Sequence, residues 1–301
     1  MSKQLLELSA ASSLVYRPPC TIAHEMGRRL VIACVVAGVL AFAPAALATT
    51  ETASLGDVTA TFTFKGAAPN YRHERLRISR AGTVLYNQPV SSKYCQSKCA
   101  PGFENPGSAV HVVDLEQNGQ PDVVLDLYSG GAHCCSIEQV FSFDPATMTY
   151  VETERDFGDP GVRLVDLFHN GQIEFLSADD SFAYEFTDYA ASGLPIQILS
   201  FSARHFLNVT RSHPRAIARD AATWLSAFKR MRSQHYRDSV GVIAAWAADE
   251  DLLRHAKMVR RYLSRQAKAG HLKSALSPEE PGGKKFVAKL QRFLRNHRYL
   301  G

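Results

Sequence analysis

Val58, Ala60, Phe62 and Phe64 alternate with Thr59, Thr61 and Thr63. A period of two marks a strand with one apolar and one polar face. The same signal returns along the next 140 or so residues: Leu76–Ser79 and Thr83–Tyr86 around an Arg80-Ala81-Gly82 turn, then 109–114, 122–128, 139–143, 150–153, 162–166, 173–176 and 196–200. Asp144-Pro145-Ala146-Thr147 reads as a turn, because proline presets φ at its second position. Helical periodicity is absent up to residue 210. Beyond it the period changes. Ile217, Ala221, Trp224, Leu225, Phe228 and Met231 share one helix face; Val240, Ile243, Ala244, Trp246 and Ala247 mark a second helix. Leu252, Ala256, Val259 and Leu263 mark a third that ends near Gly270, and Phe286, Leu290, Phe293 and Leu294 mark a fourth after a Pro/Gly linker at 277–283. Ser212 is placed to cap the first helix, with Pro214 in its first turn. The pattern predicts an α+β chain: an all-β module at 49–210, then a small all-α module at 211–301.

Charge divides at the same place. From Thr49 to Thr210, 10 Lys and Arg stand against 20 Asp and Glu, a net of −10; from Arg211 to Gly301 the counts are 20 and 7, a net of +13. Three roles are open to the helical cations: a solvated face, docking onto the acidic β module, or contact with an anionic envelope polymer or lipid headgroups. No nucleic-acid motif accompanies them, so no nucleic-acid partner is expected.

The N-terminal region reads as an export signal. Met26-Gly27-Arg28-Arg29 is a basic start, Leu30 to Ala43 an apolar run, and Ala46-Leu47-Ala48 a small-x-small cleavage site. Residues 1–25 are then a mis-assigned start or a leader extension, 26–48 the signal peptide and Thr49 the mature terminus. The expected location is periplasm, cell envelope or outside, with no transmembrane span after cleavage. Removal of 48 of the 301 residues leaves 253, enough for a real core. Cys95, Cys99, Cys134 and Cys135 remain, an even set in an exported chain and so two disulfides. Because Cys134 and Cys135 are adjacent, bridges between the two cysteine loops are favoured, each contributing roughly 3–4 kcal/mol for loops of about 35–40 residues. A vicinal redox pair and a zinc site are the alternatives.

Asp114-Leu115-Glu116-Gln117-Asn118-Gly119-Gln120-Pro121-Asp122 joins two strands, and Asp166-Leu167-Phe168-His169-Asn170-Gly171-Gln172-Ile173-Glu174 repeats it 52 residues later. A spacing near that of one four-stranded propeller blade (about 40–50 residues) allows about three units in the β module. Few blades close poorly into a ring. An open or incomplete stack of propeller-like repeats is therefore expected, its edges covered by the helices.

The first loop resembles the calcium loop of FG-GAP/VCBS repeats, the units of the integrin alpha-chain propeller. The chain after the leader also resembles uncharacterised exported actinobacterial proteins, through the runs Leu125–Cys135 and Ser177–Pro195. Calcium prefers hard oxygen ligands at alternate positions, and Asp114, Glu116, Asn118, Gln120 (by its carbonyl) and Asp122 supply them. In the second loop Phe168 replaces a ligand. The competing reading is an Asn-Gly turn whose Asp side chain accepts from nearby backbone N–H groups. Asp179-Asp180-Ser181-Phe182-Ala183-Tyr184 with Tyr189 reads either as a groove lining or as a strand pair with buried rings.

For catalysis there is no Gly-x-Ser-x-Gly elbow, no His-Glu-x-x-His helix and no Gly-rich phosphate loop. His111, His133, His169 and His205 lie among carboxylates, so an acid–base pair is geometrically open. A binding or structural role is favoured. The alternative is a hydrolase of envelope or extracellular polymer, which would need a concave pocket holding a histidine and a carboxylate in mutual reach.

Overall fold

The computed structural model describes residues 48–95, 98–105, 107–131, 134–234, 238–273 and 281–300. Residues 1–25, the predicted leader up to residue 47, His133 and part of the 277–283 linker lie outside the described residues.

Three antiparallel sheets follow one another along the chain. The first runs in simple order, β1 (Ala48–Leu55), β2 (Val58–Lys65), β3 (Arg72–Arg80) and β4 (Thr83–Pro89). β2 buries Val58, Ala60, Phe62 and Phe64, as its alternation requires, and sets Ala60 beside Ile78 and Phe62 beside Leu76. The β3–β4 hairpin turns on Ala81 and Gly82, both at positive φ (46° and 78°), the backbone that a two-residue hairpin loop with a right-handed strand twist demands. The second sheet holds β5 (Ala100–Pro101), β6 (Val110–Val113), β7 (Asp122–Tyr128), β8 (Ser136–Asp144) and β9 (Thr149–Gly158), with β7 flanked by β5 and β6 on one side and β8 on the other. The third is β10 (Arg163–Val165), β11 (Glu174–Ala178), β12 (Ile196–Ser202) and β13 (His205–Asn208).

The middle sheet is covered on both faces. Val123, Leu125 and Leu127 of β7 and Ile137 and Phe141 of β8 pack with Phe62, Leu76 and Ile78 of the first sheet. Val124 and Val140, on the opposite face, pack with Phe175, Leu199 and Phe201 of the third. A strand buried on both faces reads as a near-continuous apolar run, which explains Val123-Val124-Leu125 and leaves Asp126 conspicuous. The result is an open stack of three small sheets.

The four helices are α1 (Pro214–Ser233), α2 (Val240–Leu252), α3 (Ala256–Lys268) and α4 (Gly283–Asn296). Pro214 opens α1 as expected, but the capping position is His213, with no side-chain capping bond, and Ser212 falls in the preceding 3-10 turn. α2 is buried all round, so it lies at the centre of the helical core rather than on its surface. The stretch at 179–191 forms two 3-10 turns, not a strand pair. Asp179 and Asp188 cap them by accepting from Ser181 and Ala191 N–H. Phe182 and Phe186 reach into the helical core and meet Phe293 edge-on at 4.8 and 5.3 Å. The rings are core, as one of the two readings held, and they tie the strand half to the helices.

Candidate functional site

The two Asp loops are built alike. Asp114 accepts from Asn118 N–H (3.0 Å) and Gly119 N–H (2.8 Å), and Asp166 accepts from Asn170 N–H (3.0 Å) and Gly171 N–H (2.9 Å). Asn118 and Asn170 then accept from Gln120 and Gln172 N–H at 2.8 and 3.0 Å. Gln117 and His169 share the same left-handed backbone (φ 53° and 54°). The loops also grip each other: Gln117 Nε2 donates to the Asn170 carbonyl (3.0 Å) and Gln172 Nε2 to the Leu115 carbonyl (2.7 Å). These bonds are those of an Asx-type turn.

Of the five predicted calcium ligands, Glu116, Asn118, Gln120 and Asp122 border one cleft of about 330 Å³, together with Ser142 and Asp144. The carboxylates of Glu116 and Asp114 lie near enough to Asp122 to act on its acid. Both oxygens of Asp114 serve its own loop, Glu116 Oε1 accepts from Ala203 N–H (2.8 Å) and Asp122 is buried, its acid pushed up to about 6 chiefly by that burial. Among the described residues no three Asp, Glu, His or Cys side chains are arranged to hold a metal ion.

The cysteines pair within their loops, Cys95 with Cys99 and Cys134 with Cys135, not across them as adjacency had favoured. The two loops face different layers. Cys95 and Cys99 pack into the core between the first two sheets, whereas Cys134 and Cys135 border a cleft with Arg155, Asp156, Asp179 and Asp180 beside the third.

A pair that sequence reasoning missed lies in the middle sheet. Asp126 on β7 and Glu138 on β8 stand directly opposite in register, both with no exposed surface. Glu104 N–H donates to Asp126 Oδ2 (3.0 Å), and Asn105 Nδ2 donates to Glu138 Oε1 (3.2 Å) while its Oδ1 accepts from Leu164 N–H (2.7 Å). Asn105 thus links the second sheet to the third. Asp126 Oδ1 and Glu138 Oε2 have no partner. Burial, then the neighbouring carboxylates, keeps both acids protonated far beyond the usual range, Asp126 to about 7 and Glu138 well above its ordinary value. Gly102 and Gly161 are required here, because a Cβ on either would overlap the carboxylate of Asp126 or Glu104. The signal in the sequence was two acids, Asp126 and Glu138, each at an inward position of an apolar strand. Asp249 on α2 is a second buried acid, raised to about 10 by burial and then by Asp220.

His111 is half-buried with its Nε2 unpartnered, and desolvation lowers its basicity. His205 is exposed on β13, and His169 is exposed in the turn of the second Asp loop. His255 Nδ1 lies 2.7 Å from Glu250 Oε2 at the open surface where α2 gives way to α3.

The helical cations divide into two groups. Arg211 is structural: it donates to the carbonyls of Leu252, Arg298 and Tyr299 at 3.3, 2.7 and 3.0 Å. Lys289 bonds the Glu185 carbonyl and lies 3.4 Å from the Glu185 carboxylate. Arg232 is half-buried and donates to Gln266 Oε1 (3.0 Å), and most of the rest face solvent. Arg260, Arg261 and Arg265 of α3 surround a depression of about 480 Å³ with Met258 and Ser264. Lys257, Lys268, Lys284, Lys285, Arg292 and Arg295 are exposed on α3 and α4. No described carboxylate forms an ion pair with these nine residues.

No family model matches the chain, and no solved structure matches it closely. It is similar to an uncharacterised protein of Sinorhizobium fredii, 25% identical over 202 residues, which covers 62% of this chain and 29% of that protein. It is also similar to a probable thylakoid lumen protein of Synechocystis, 31% identical over 109 residues, 35% of this chain and 32% of that one. The chain spans about a third of the length of these relatives. No helix of the described residues is long and apolar enough to cross a membrane.

Proposed function

We propose that this is an exported binding protein, without catalytic activity, that holds an anionic polymer of the cell envelope against the outer face of α3 and α4. The observation that carries the reading is the arginine depression on α3: Arg260, Arg261 and Arg265 share one hollow and none has an ion-pair partner among the described carboxylates. Guanidinium groups present forked donors to carboxylate and phosphate oxygens. Docking onto the acidic strand half accounts for Lys289, and carbonyls of the helical half take up Arg211; neither uses this face. The lumenal relative supports a compartment beyond a membrane, and paired cysteines fit such a place. The matched Asp loops support the likeness to FG-GAP/VCBS repeats, and we read them as staples of the stack. A hydrolase would need its acid pair at a cleft, whereas Asp126 and Glu138 have no exposed surface.

The test is retention of the purified chain on immobilised anionic envelope polymer. The wild type should be retained at low salt and released as salt rises. An Arg260→Gln/Arg261→Gln/Arg265→Gln variant should elute at least tenfold more easily with an unchanged melting temperature. Equal retention of the two would refute the assignment.

A further inference from the structure

The first two sheets enclose a groove of about 780 Å³, larger than the hollow on α3 and sharing no residue with it. One wall is the turn between β2 and β3, carrying Tyr71 and Arg72. The other is the β5 edge and the end of β7, carrying Lys98, Phe103 and Tyr128.

Its aromatic side chains are held in place yet open. Phe103 is 68% exposed, the most of any large apolar side chain described. Its ring sits 5.3 Å from that of Tyr128, whose hydroxyl donates to the Gly131 carbonyl at 2.6 Å. That bond holds the Tyr128 ring and uses its hydroxyl proton. Phe64 backs Tyr71 edge-on at 5.6 Å. A large exposed ring beside a second fixed ring supplies the apolar element of a ligand groove.

The charge is equally specific. The strand half has twice as many carboxylates as cations, yet the lining of this groove includes two of its ten cations, Arg72 and Lys98, and no Asp or Glu. Cys99, bonded to Cys95 and nearly buried, anchors the wall beside Lys98. A peptide adding a strand to the β5 edge would meet Pro101, which has no N–H to donate. The groove therefore favours a ligand recognised by ring faces and negative charge.

We propose that this groove binds an acidic saccharide, its pyranose faces stacked on Phe103 and Tyr128 and a sugar carboxylate held by Arg72 and Lys98. This goes beyond polymer retention by the helices and does not rest on it.

The test is calorimetric titration of the full chain with a short oligogalacturonate. Beside it stand the same oligomer with its carboxyls reduced to hydroxymethyl groups, and a proline-rich peptide. Saturable one-to-one binding is expected for the uronate, at least tenfold weaker for the reduced oligomer. Phe103→Ala should weaken it at least tenfold and Arg72→Gln/Lys98→Gln by a similar factor. Phe103 is exposed, so its variant should melt like the wild type. The α3 triple arginine variant should bind the oligomer unchanged, whatever its polymer retention. No binding of the uronate, undiminished binding by Phe103→Ala, loss in the α3 variant, or saturation by the peptide instead would each overturn the proposal.

Discussion

In the strand half, 20 carboxylates outnumber 10 cations, and many of those carboxylates turn inward. Asp114 and Asp166 close their own loops, Glu51 bonds Ser108 Oγ and Ala109 N–H at 2.9 and 2.7 Å, and Asp126 and Glu138 are sealed in the middle sheet. In the helical half most cations turn outward, and the acids Asp238, Asp249 and Asp251 are buried. The difference teaches that net charge alone says little about what a surface offers. One half consumes many of its ionisable groups in construction, and the other leaves most of its cations in solvent.

The sharpest way to break this comparison is pH. Asp126 carries a folded-state value of about 7 against an unfolded value of about 3.9. A carboxyl raised in the folded state binds its proton more tightly there, so stability is lost as pH rises from about 4 to about 7. The loss attributable to this residue is roughly 4 kcal/mol, from about three units at 1.36 kcal/mol each. Asp126→Asn should flatten the decline of unfolding free energy over that window in denaturant titrations. A wild type equally stable at pH 5 and pH 7 would show that the pair is not held protonated.

Next in size is the seam between the halves. Gly193 and Gly241 let the chain before β12 lie directly on α2: a Cβ on Gly193 would come within 2.9 Å of Ala245 Cβ, and one on Gly241 would overlap the Ala191 carbonyl. Gly241→Val should cost about 1–3 kcal/mol by overpacking, read as a lower melting temperature. A neutral result would mean that the two halves are not packed so closely.

The smallest effect distinguishes the two loops. Asp114→Ala and Asp166→Ala should each lower the melting temperature slightly and to a similar extent, because each removes the acceptor for two exposed backbone N–H groups. Equal losses sharpen the reading of both as turns held by their own carboxylate. Millimolar calcium that raised the melting temperature through Asp114 alone would place an ion in the first loop.

Much of this architecture was legible in the sequence where one face is buried and the other wet. β2, α1, α3 and α4 follow their apolar period closely, and β7 begins and ends as read, whereas α2 is buried all round and Leu252, read with the third helix, closes α2 instead. β1 was missed because its Thr-rich run is mostly exposed and has no apolar face to announce it. β5 has two residues, one a proline, and β13 is mostly exposed. At 179–191 the aromatic residues were visible, but the turn chemistry of Asp179 and Asp188 overrode the strand reading. The cysteine pairing was illegible because spacing does not tell which layer a loop faces. Asp126 and Glu138 escaped notice because a lone acid in an apolar strand shows its partner only once strand register is known.

The most direct measurement is the dependence of polymer affinity on salt concentration for the wild type and the α3 triple arginine variant. Charge-driven contacts weaken as salt screens them. Affinity of the wild type should fall steeply with rising salt, and the slope should become clearly shallower once Arg260, Arg261 and Arg265 are neutral. Identical slopes for the two proteins would contradict the claim that the outer helical face is where the partner is held.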